Sequence, residues 1–168
     1  MPVLINQKQY LPDFIRLNED WIAHHFRIEE ADRELARNPA RIISEGGYIF
    51  TLLEEDRVIG VCALFKEDAN VFQLARMAVS PEFQGNGFGH ALISAAFEHL
   101  HKIGASRVYL LSNTILASAI ALYRKHGFTV LSEGQHPVYA RCNIVMEKVL
   151  QPPNPSLKRD AAKSRRAP

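Results

Sequence analysis

The sequence predicts a single α+β domain built on one mostly antiparallel sheet with flanking helices. Apolar residues recur with helical spacing in some segments and form short runs of β-forming residues in others. Tight turns join the β-forming runs between residues 48 and 79, which favours an antiparallel meander. Farther along, strand and helix patterns alternate, and the 168 residues are enough for one domain with a sizeable core.

The first part of the chain is predicted to be mainly helical. A short apolar segment, Val3–Ile5, precedes a helix from Leu11 to Phe26 in which the apolar residues fall near one stripe. A second, charged helix runs from Glu29 to Arg37 and ends before Pro39, because the residue before a proline disfavours helix. The pair Gly46-Gly47 then marks a turn.

The remaining elements follow the same two periodicities. The first set is Tyr48–Leu53, Arg57–Phe65 and Val71–Val79 as strands, then a helix from Gly87 to Ile103. The second set is a strand Arg107–Leu111, a helix Leu116–His126, and strands Phe128–Ser132 and Tyr139–Val149. Beyond Leu150 the chain is rich in proline and has no hydrophobic period, so residues 151–168 are predicted to be a disordered tail after a folded domain, residues 1–150.

The net charge of +2 is unevenly distributed. Residues 158–166 carry a net +4, whereas residues 1–150 carry a net −2. A stretch of +4 without interleaved aromatic residues is a small electrostatic footprint, so a nucleic-acid partner is disfavoured.

Cysteine content and hydropathy predict a protein of the reducing cytoplasm. Cys62 and Cys142 lie in apolar, strand-like surroundings, where a free thiol behaves as a small buried hydrophobe. The N-terminal residues lack the basic segment and long apolar run of a signal peptide. The longest apolar stretch, Val58–Phe65, is far shorter than the ~20 residues of a membrane-spanning helix, so no membrane partner is expected.

The segment Gln84–His90, QGNGFGH, predicts an anion site between a strand and a helix. Its three glycines let the backbone approach a ligand, and the N-terminus of the following helix favours negative charge. Glycine-rich turns also cap helices for structural reasons, so the segment alone leaves both interpretations open. The Lys-Ser or Lys-Thr pair of a P-loop and the G-x-G-x-x-G spacing of a dinucleotide site are both missing.

Two longer runs of the sequence, LARMAVSPEFQGNGFGHALI and SNTILASAIALYRKHGF, resemble the GNAT superfamily of N-acetyltransferases. The run LARMAVSPEFQGNGFGHALI matches the family's strand, A-V-x-P turn and Q/R-x-x-G-x-G/A loop. The run SNTILASAIALYRKHGF matches its A-x-x-L-Y-x-x-x-G-F signature. The matching residues are Gln84, Gly87 and Gly89 in the first run, and Ala119, Leu122, Tyr123, Gly127 and Phe128 in the second. Element order agrees across residues 1–150, although the helical segment before Gly46 matches more loosely.

The resemblance implies a GNAT-like fold and direct acetyl transfer from acetyl-CoA to a primary amine of a small molecule or peptide. In the family, the loop holds the pyrophosphate of acetyl-CoA, and backbone amides of the preceding strand bond the acetyl carbonyl and the pantetheine arm. The implied cofactor-binding residues are Met77, Ala78, Val79, Gln84, Gly85, Asn86, Gly87, Phe88, Gly89 and His90. The histidine pairs of the helices do not share a helix face, so no metal is expected.

Tyr123 matches the family's usual proton donor to the departing CoA thiolate. A tyrosine of ordinary pKa, about 10, is a weaker acid than a thiol at about 8.5, so full proton transfer would be uphill by about 2 kcal/mol. A hydrogen bond from Tyr123 to the thiolate is therefore the predicted role, and simple core packing is the alternative. Relatives often place a CoA-contacting asparagine where this chain has Leu116. The nearby Asn113 is predicted either to contact CoA or to form a turn.

The general base is not identified by the sequence. A lysine-type amine costs about 4.6 kcal/mol to neutralise at pH 7, whereas an α-amine costs about 1 kcal/mol. The positions where relatives often have glutamate hold Leu111 and Gln73. The remaining candidates are Glu29, Glu30, Glu133 and His136. An ordinary solvated position is favoured over a catalytic role for each of them, and a chain of waters to bulk solvent is an equal alternative.

The missing base leaves a second function open, a catalytically weak acyl-CoA-binding module. The presence of Tyr123 argues against this alternative.

Acceptor specificity is expected in the helices of Leu11–Glu45 and in the loop Glu133–Val138. Five aromatic and acidic residues of the helical segment form either a wall that attracts an amine or part of an ordinary amphipathic helix. These residues are Trp21, Phe26, Glu29, Glu30 and Asp32. Homodimers are common among similar proteins, but no residue of this sequence decides the oligomeric state.

Overall fold

Seven strands form one sheet through the protein, and the computed structural model describes residues 2–150 of the chain. The strands are β1 (Val3–Ile5), β2 (Tyr48–Glu54), β3 (Arg57–Asp68), β4 (Val71–Val79), β5 (Arg107–Ser112), β6 (Thr129–Glu133) and β7 (Ile144–Val149). Their order across the sheet is β1-β2-β3-β4-β5-β7-β6. All neighbours are antiparallel except β4 and β5, which are parallel. The predicted α+β class with a mostly antiparallel sheet is confirmed.

Helices cover both faces of this sheet. Within residues 2–150 they are α1 (Leu11–His25), α2 (Glu30–Arg37), α3 (Arg41–Ser44), α4 (Phe88–Lys102) and α5 (Ala117–Lys125). One core lies between the sheet and α4 and contains Phe50 and Leu92. A second core lies on the opposite face, against α1 and α3, and contains Phe14 and Ile49. Successive side chains of a strand point to opposite faces, which is why Ile49 and Phe50 belong to different cores.

The apolar run of β3 lies between these two cores. Residues Val58–Leu64 are all buried, because α4 covers one face of the strand and α1 the other. Gly60 allows the close approach of α4, since a Cβ at this position would lie 3.2 Å from Leu92 Cδ1. Burial on both faces explains why this strand is apolar throughout rather than alternating.

The structure differs from the prediction at two places along the chain. The last strand begins at Ile144 rather than Tyr139, because side chains satisfy the preceding backbone in place of a neighbouring strand. The Nδ1 atom of His136 accepts the N–H groups of Val138 and Tyr139, each at 3.1 Å. The short helix α3 was not predicted; four residues give too weak a pattern, and its Ile42 is buried in the second core.

The predicted tail, residues 151–168, lies outside the described residues, so the domain boundary after Leu150 stays a prediction. Among residues 2–150, no helix has the length and apolar character needed to cross a membrane.

The partly buried ring of His99 packs against aromatic residues of the first core, and one of its nitrogens has no hydrogen-bond partner among the described residues. Its ring lies against Tyr48, with centroids 4.1 Å apart, and within residues 2–150 its Nε2 is a buried atom that makes no hydrogen bond. Burial, and then the charge of Lys102, lowers the pKa of His99. As the pH falls, the unfolded chain is therefore protonated at His99 at a higher pH than the folded chain is. Its contribution to stability is present above the unfolded pKa of about 6.5 and is lost as the pH falls below that value.

We expect His99→Leu to remove this acid sensitivity. As the pH falls from 7.5 to 5.5, the free energy of unfolding of the variant should rise relative to that of the wild type. Denaturant titrations at the two pH values measure this difference. The control is His101→Leu, because His101 is exposed on the same helix. An equal change in the two variants would contradict the role of burial.

Candidate active site

The N-terminus of α4 presents a row of unpaired backbone donors. The first bond of the helix runs from the Ala91 N–H to the Gly87 carbonyl at 3.1 Å. Within residues 2–150, none of the six N–H groups from Gly85 to His90 donates to a protein acceptor. They lie at the positive end of a 15-residue helix. Six such donors in sequence at a helix N-terminus favour an anion such as a pyrophosphate.

The glycines of this loop serve different purposes. Gly85 and Gly87 have φ values of 80° and 82°, a conformation that other residues adopt at a cost, and open space surrounds both. Gly89 instead allows α4 to approach α5, since a Cβ there would lie 3.2 Å from Leu122 Cδ2. The backbone needs glycine at the first two positions, and helix packing needs it at the third.

Two polar side chains fix the shape of the loop. Gln84 donates from Nε2 to the Val79 carbonyl at 3.0 Å, which ties the loop to the end of β4. Asn86 donates from Nδ2 to the Phe83 and Gln84 carbonyls at 3.1 and 3.3 Å. Both predicted residues therefore hold the loop rather than extend from it, which leaves its backbone N–H groups as the ligand-facing donors.

Phe88 and His90, the remaining side chains predicted in the loop, pack onto neighbouring elements. The rings of Phe88 and Phe83 lie 6.1 Å apart, centroid to centroid. The Nδ1 atom of His90 lies 2.9 Å from Nε2 of His126 at the end of α5. Burial, and then the charges of His90 and Lys148, lowers the pKa of His126.

The strands β4 and β5 separate next to this loop. Their parallel ladder joins only Val71–Gln73 to Arg107–Tyr109, whereas β4 continues to Val79. A bulge interrupts the pairing of β4 with β3 where Arg76 has a φ of 56°. Beyond Gln73 the edge of β4 that faces β5 therefore has no strand partner among the described residues.

The β3–β4 register shows which amides of β4 face this gap. The Ser80 N–H donates to the Ile59 carbonyl at 2.8 Å, and bonding residues alternate along an antiparallel strand. Ala78, opposite Val61, therefore bonds toward β3, whereas Val79 directs its N–H into the gap. Met77 lies in the bulge and lines the gap. Met77 and Val79 are thus placed with amides on the open edge, and Ala78 is not.

A cavity of about 110 Å³ occupies the gap between the two strands. Parts of β4, α1, α5 and the end of β5 line it, and α5 contributes Tyr123. This tyrosine is half-buried, and its hydroxyl has no hydrogen-bond partner within residues 2–150. Burial, and then the nearby Cys62 thiol, raises the pKa of Tyr123 to about 12. The hydroxyl is therefore a hydrogen-bond donor that stays protonated throughout the neutral range.

Asn113 lines the same cavity but uses its side chain to shape the chain. Its Nδ2 donates to the Arg141 carbonyl at 2.8 Å, and its Oδ1 accepts the Ile115 N–H at 3.0 Å. These bonds hold the β6–β7 loop against the end of β5. Of its two predicted roles, the turn is seen in the structure, and a contact with CoA stays a prediction.

None of the four candidate bases lines the cavity, and within residues 2–150 no carboxylate or imidazole side chain does. Glu29 accepts the Ala140 N–H at 2.8 Å and an Arg141 guanidinium N–H at 3.1 Å. Glu30 pairs with two surface arginines of its own helix, His136 accepts backbone N–H groups, and Glu133 is exposed. The base stays unassigned.

A buried ionic network lies beside the cavity. The carboxylate of Asp32, whose side chain is 1% exposed, receives Arg76 Nη1 at 2.6 Å and both terminal nitrogens of Arg141 at 2.6 and 2.7 Å. Burial opposes the charge of Asp32, but the hydrogen bonds from Arg141 and the Glu29 N–H and the charge of Arg76 outweigh it and lower its pKa. The proposed acidic wall is therefore wrong for Glu29 and Asp32, because arginines neutralise both.

A sequence model of the family described as "Acetyltransferase (GNAT) family" matches residues 12–128, which is more than half of the chain. The chain belongs to the GNAT acetyltransferase family. The match begins in α1 and includes the loop before α4, the separated strands and α5. The predicted membership is confirmed.

Curated relatives of this GNAT protein carry several acetyltransferase names. A mycothiol acetyltransferase of Renibacterium salmoninarum is 24% identical over 76% of this chain and 41% of its own length. An amino-acid acetyltransferase of Neisseria meningitidis is 31% identical over 52% of the chain and 20% of its own length. Human N-acetyltransferase 8 is 33% identical over 59% of the chain and 46% of its own length. The chain spans less than half the length of each of these relatives.

Solved structures share the fold of this GNAT protein. A GNAT-family acetyltransferase of Staphylococcus aureus superposes with a TM-score of 0.79 at 17% identity, covering 89% of this chain and 99% of that one. The PaiA N-acetyltransferase of Thermoplasma acidophilum, solved in complex with coenzyme A, gives 0.68 at 20% identity, covering 89% and 100%. At these identities the likeness establishes the fold.

Three polar residues that join the ionic network to the cavity wall were not singled out by the sequence. Arg76, Tyr139 and Arg141 all line it. A charged residue in the middle of the apolar run of β4 was a usable signal for Arg76. Tyr139 and Arg141 gave no such signal, because their segment was predicted to be part of the last strand.

Proposed function

We propose that this GNAT protein transfers the acetyl group of acetyl-CoA directly to a primary amine. The unpaired N–H groups of Gly85–His90 carry the proposal, because they offer an anionic cofactor a row of donors beside the gap in the sheet. Residues 1–150 carry a net charge of −2, so these local donors must bind the pyrophosphate without help from the overall charge. Acetyl-CoA, when bound, supplies the activated thioester.

Other residues of the cavity are suited to bind the acetyl group and to stabilise the leaving thiolate. The N–H groups of Met77 and Val79 on the open edge of β4 are suited to bond the pantetheine arm and the acetyl carbonyl, where negative charge develops. Tyr123 is suited to donate a hydrogen bond to the thiolate as it leaves. Proton transfer from a phenol of pKa about 12 to a thiolate of ordinary basicity would be uphill by about 5 kcal/mol, so a hydrogen bond is the favoured role.

Direct transfer is favoured over an acetylated enzyme. The thiol in the cavity wall belongs to Cys142. Burial raises the pKa of Cys142 despite the nearby guanidinium groups, so the thiol stays protonated and is a poor nucleophile. The amine must then attack the thioester itself.

The absence of a base from the described cavity wall predicts how the rate depends on pH. The inflection of kcat/KM should follow the pKa of the acceptor, near 7.8 for an α-amine and near 10.4 for a lysine-type amine. Rates of CoA release measured with one amine of each type test this. An inflection at the same pH for both amines would show that an enzyme group removes the proton.

A catalytically weak acyl-CoA-binding module is the second candidate, favoured by the same lack of a base. The two functions separate in one assay of CoA release with a panel of primary amines. Amine-dependent release together with the N-acetylated product supports the enzyme, whereas tight acetyl-CoA binding without release on any amine supports the module. One relative's name refers to mycothiol, a second to an amino acid and a third to no acceptor, so the names do not select an acceptor for this chain.

Other assignments stay predictions. Within residues 2–150, no group of three or more histidine, cysteine, aspartate or glutamate side chains is arranged to hold a metal ion. The cytoplasmic location, the contribution of the basic tail and the homodimer are proposals that binding and sedimentation experiments on the full chain can address.

A further inference from the structure

The buried ionic network contributes its arginines, and not its carboxylates, to the cavity wall. Arg76 and Arg141 line the cavity, whereas their partners Asp32 and Glu29 do not. The ion pairs leave no net charge, but a substrate in the cavity is in reach of the arginines rather than of the carboxylates.

The two arginines also keep unused donors. A guanidinium group has five N–H donors. Arg76 bonds the Asp32 carboxylate through Nη1 and the Tyr139 hydroxyl through Nη2, the latter at 3.0 Å. Arg141 uses three bonds, two to Asp32 and one to Glu29. Within residues 2–150, each arginine therefore has at least two N–H groups without an acceptor.

The backbone of β4 is distorted at the residue that supplies one of these groups. Arg76 has a φ of 56°, a left-handed conformation that costs a residue with a side chain about 1–2 kcal/mol. The bulge directs its side chain toward α2 and the β6–β7 loop, where the network holds it with 8% of the side chain exposed. Bulges and strained residues of this kind are frequent next to active sites, where they redirect a side chain.

We propose that Arg76 and Arg141 bind a carboxylate of the acceptor, so that the preferred acceptor is an amine that also carries a carboxylate, as an α-amino acid does. This inference rests on the proposed acetyl transfer and names its substrate class. Guanidinium groups match a carboxylate in geometry and charge.

The first test uses the wild-type full chain and matched acceptors. An α-amino acid, its carboxamide and the amine lacking that group are compared by CoA release, with rates expressed per neutral amine. We expect kcat/KM to be about tenfold higher for the acid than for the carboxamide, mainly through KM. An acid that reacts no faster than its carboxamide overturns the inference while leaving acetyl transfer intact. If neither these three amines nor any other primary amine causes release of CoA, the proposed function itself is overturned.

The second test separates recognition from a structural role. Arg76→Lys and Arg141→Lys keep a positive charge beside Asp32 but lose the planar fork. In either variant we expect the preference for acid over carboxamide to fall to about threefold or less, with unchanged affinity for acetyl-CoA. Arg33→Gln, at an exposed pair on α2, is the control and should keep the full preference. Variants that slow both acceptors equally and keep the preference would assign the arginines a structural role only.

Discussion

Replacing Gly87 by valine is expected to weaken acetyl-CoA binding by about tenfold to a hundredfold. Gly87 has a φ of 82°, and a β-branched residue there costs about 1–2 kcal/mol or shifts the backbone. A shift at this position rotates the neighbouring N–H groups away from their common direction. Isothermal titration of the full chain with acetyl-CoA, and separately with CoA, measures the loss.

The other end of the same helix provides a matched control. Gly104 follows α4 with a φ of 71°. At Gly104, as at Gly87, a Cβ would meet no atom of the surrounding structure within 4 Å. Gly104→Val should therefore lose a similar amount of folding stability while keeping its affinity for acetyl-CoA. If both variants bind acetyl-CoA as the wild type does, the Gly85–His90 donors do not hold the cofactor.

Replacing Tyr123 by phenylalanine is expected to lower kcat by about a hundredfold without changing the affinity for acetyl-CoA. The change removes one hydroxyl from a residue that lines the cavity, and this hydroxyl makes no hydrogen bond within residues 2–150. The melting temperature should stay close to that of the wild type, because no protein hydrogen bond is lost. Steady-state kinetics with saturating acetyl-CoA and an accepted amine give kcat.

Tyr109→Phe is the control for this change. Tyr109 lies on β5 outside the cavity wall, and its hydroxyl is 3.5 Å from Gln73 Oε1. Loss of the Tyr109 hydroxyl should leave kcat within about twofold of the wild-type value. A Tyr123→Phe enzyme that turns over at the normal rate would reduce Tyr123 to a core aromatic.

Much of the fold follows from local sequence patterns. The periodicity of α4 and the apolar run of β3 place both elements within a few residues, because burial against the sheet requires those patterns. The four-residue α3 and the start of β7 were missed, since a single turn has no period and residues 134–143 are stabilised by side-chain contacts. The bonds that also tie this segment to Asn113 and Glu29 are long-range, and such bonds leave no local signal in the sequence.

The candidate site shows the same division. The loop was predictable because its chemistry is carried by the backbone, which glycine spacing reveals at Gly85 and Gly87. The arginines of the cavity wall were not predictable, because their placement depends on Asp32 meeting Arg141 across more than a hundred residues. A sequence shows charges but not which of them neutralise each other, so it left the acidic wall open as an alternative to an ordinary amphipathic helix.

Single-turnover transfer of labelled acetyl-CoA tests direct acetyl transfer most directly. With the full chain in excess and no amine present, the label is expected to stay on CoA, since Cys142 is a poor nucleophile. Addition of an accepted amine should then move the label to that amine, with one CoA released for each acetylated amine. Label on the protein before the amine is added, or no transfer after it, would contradict direct transfer in this cavity.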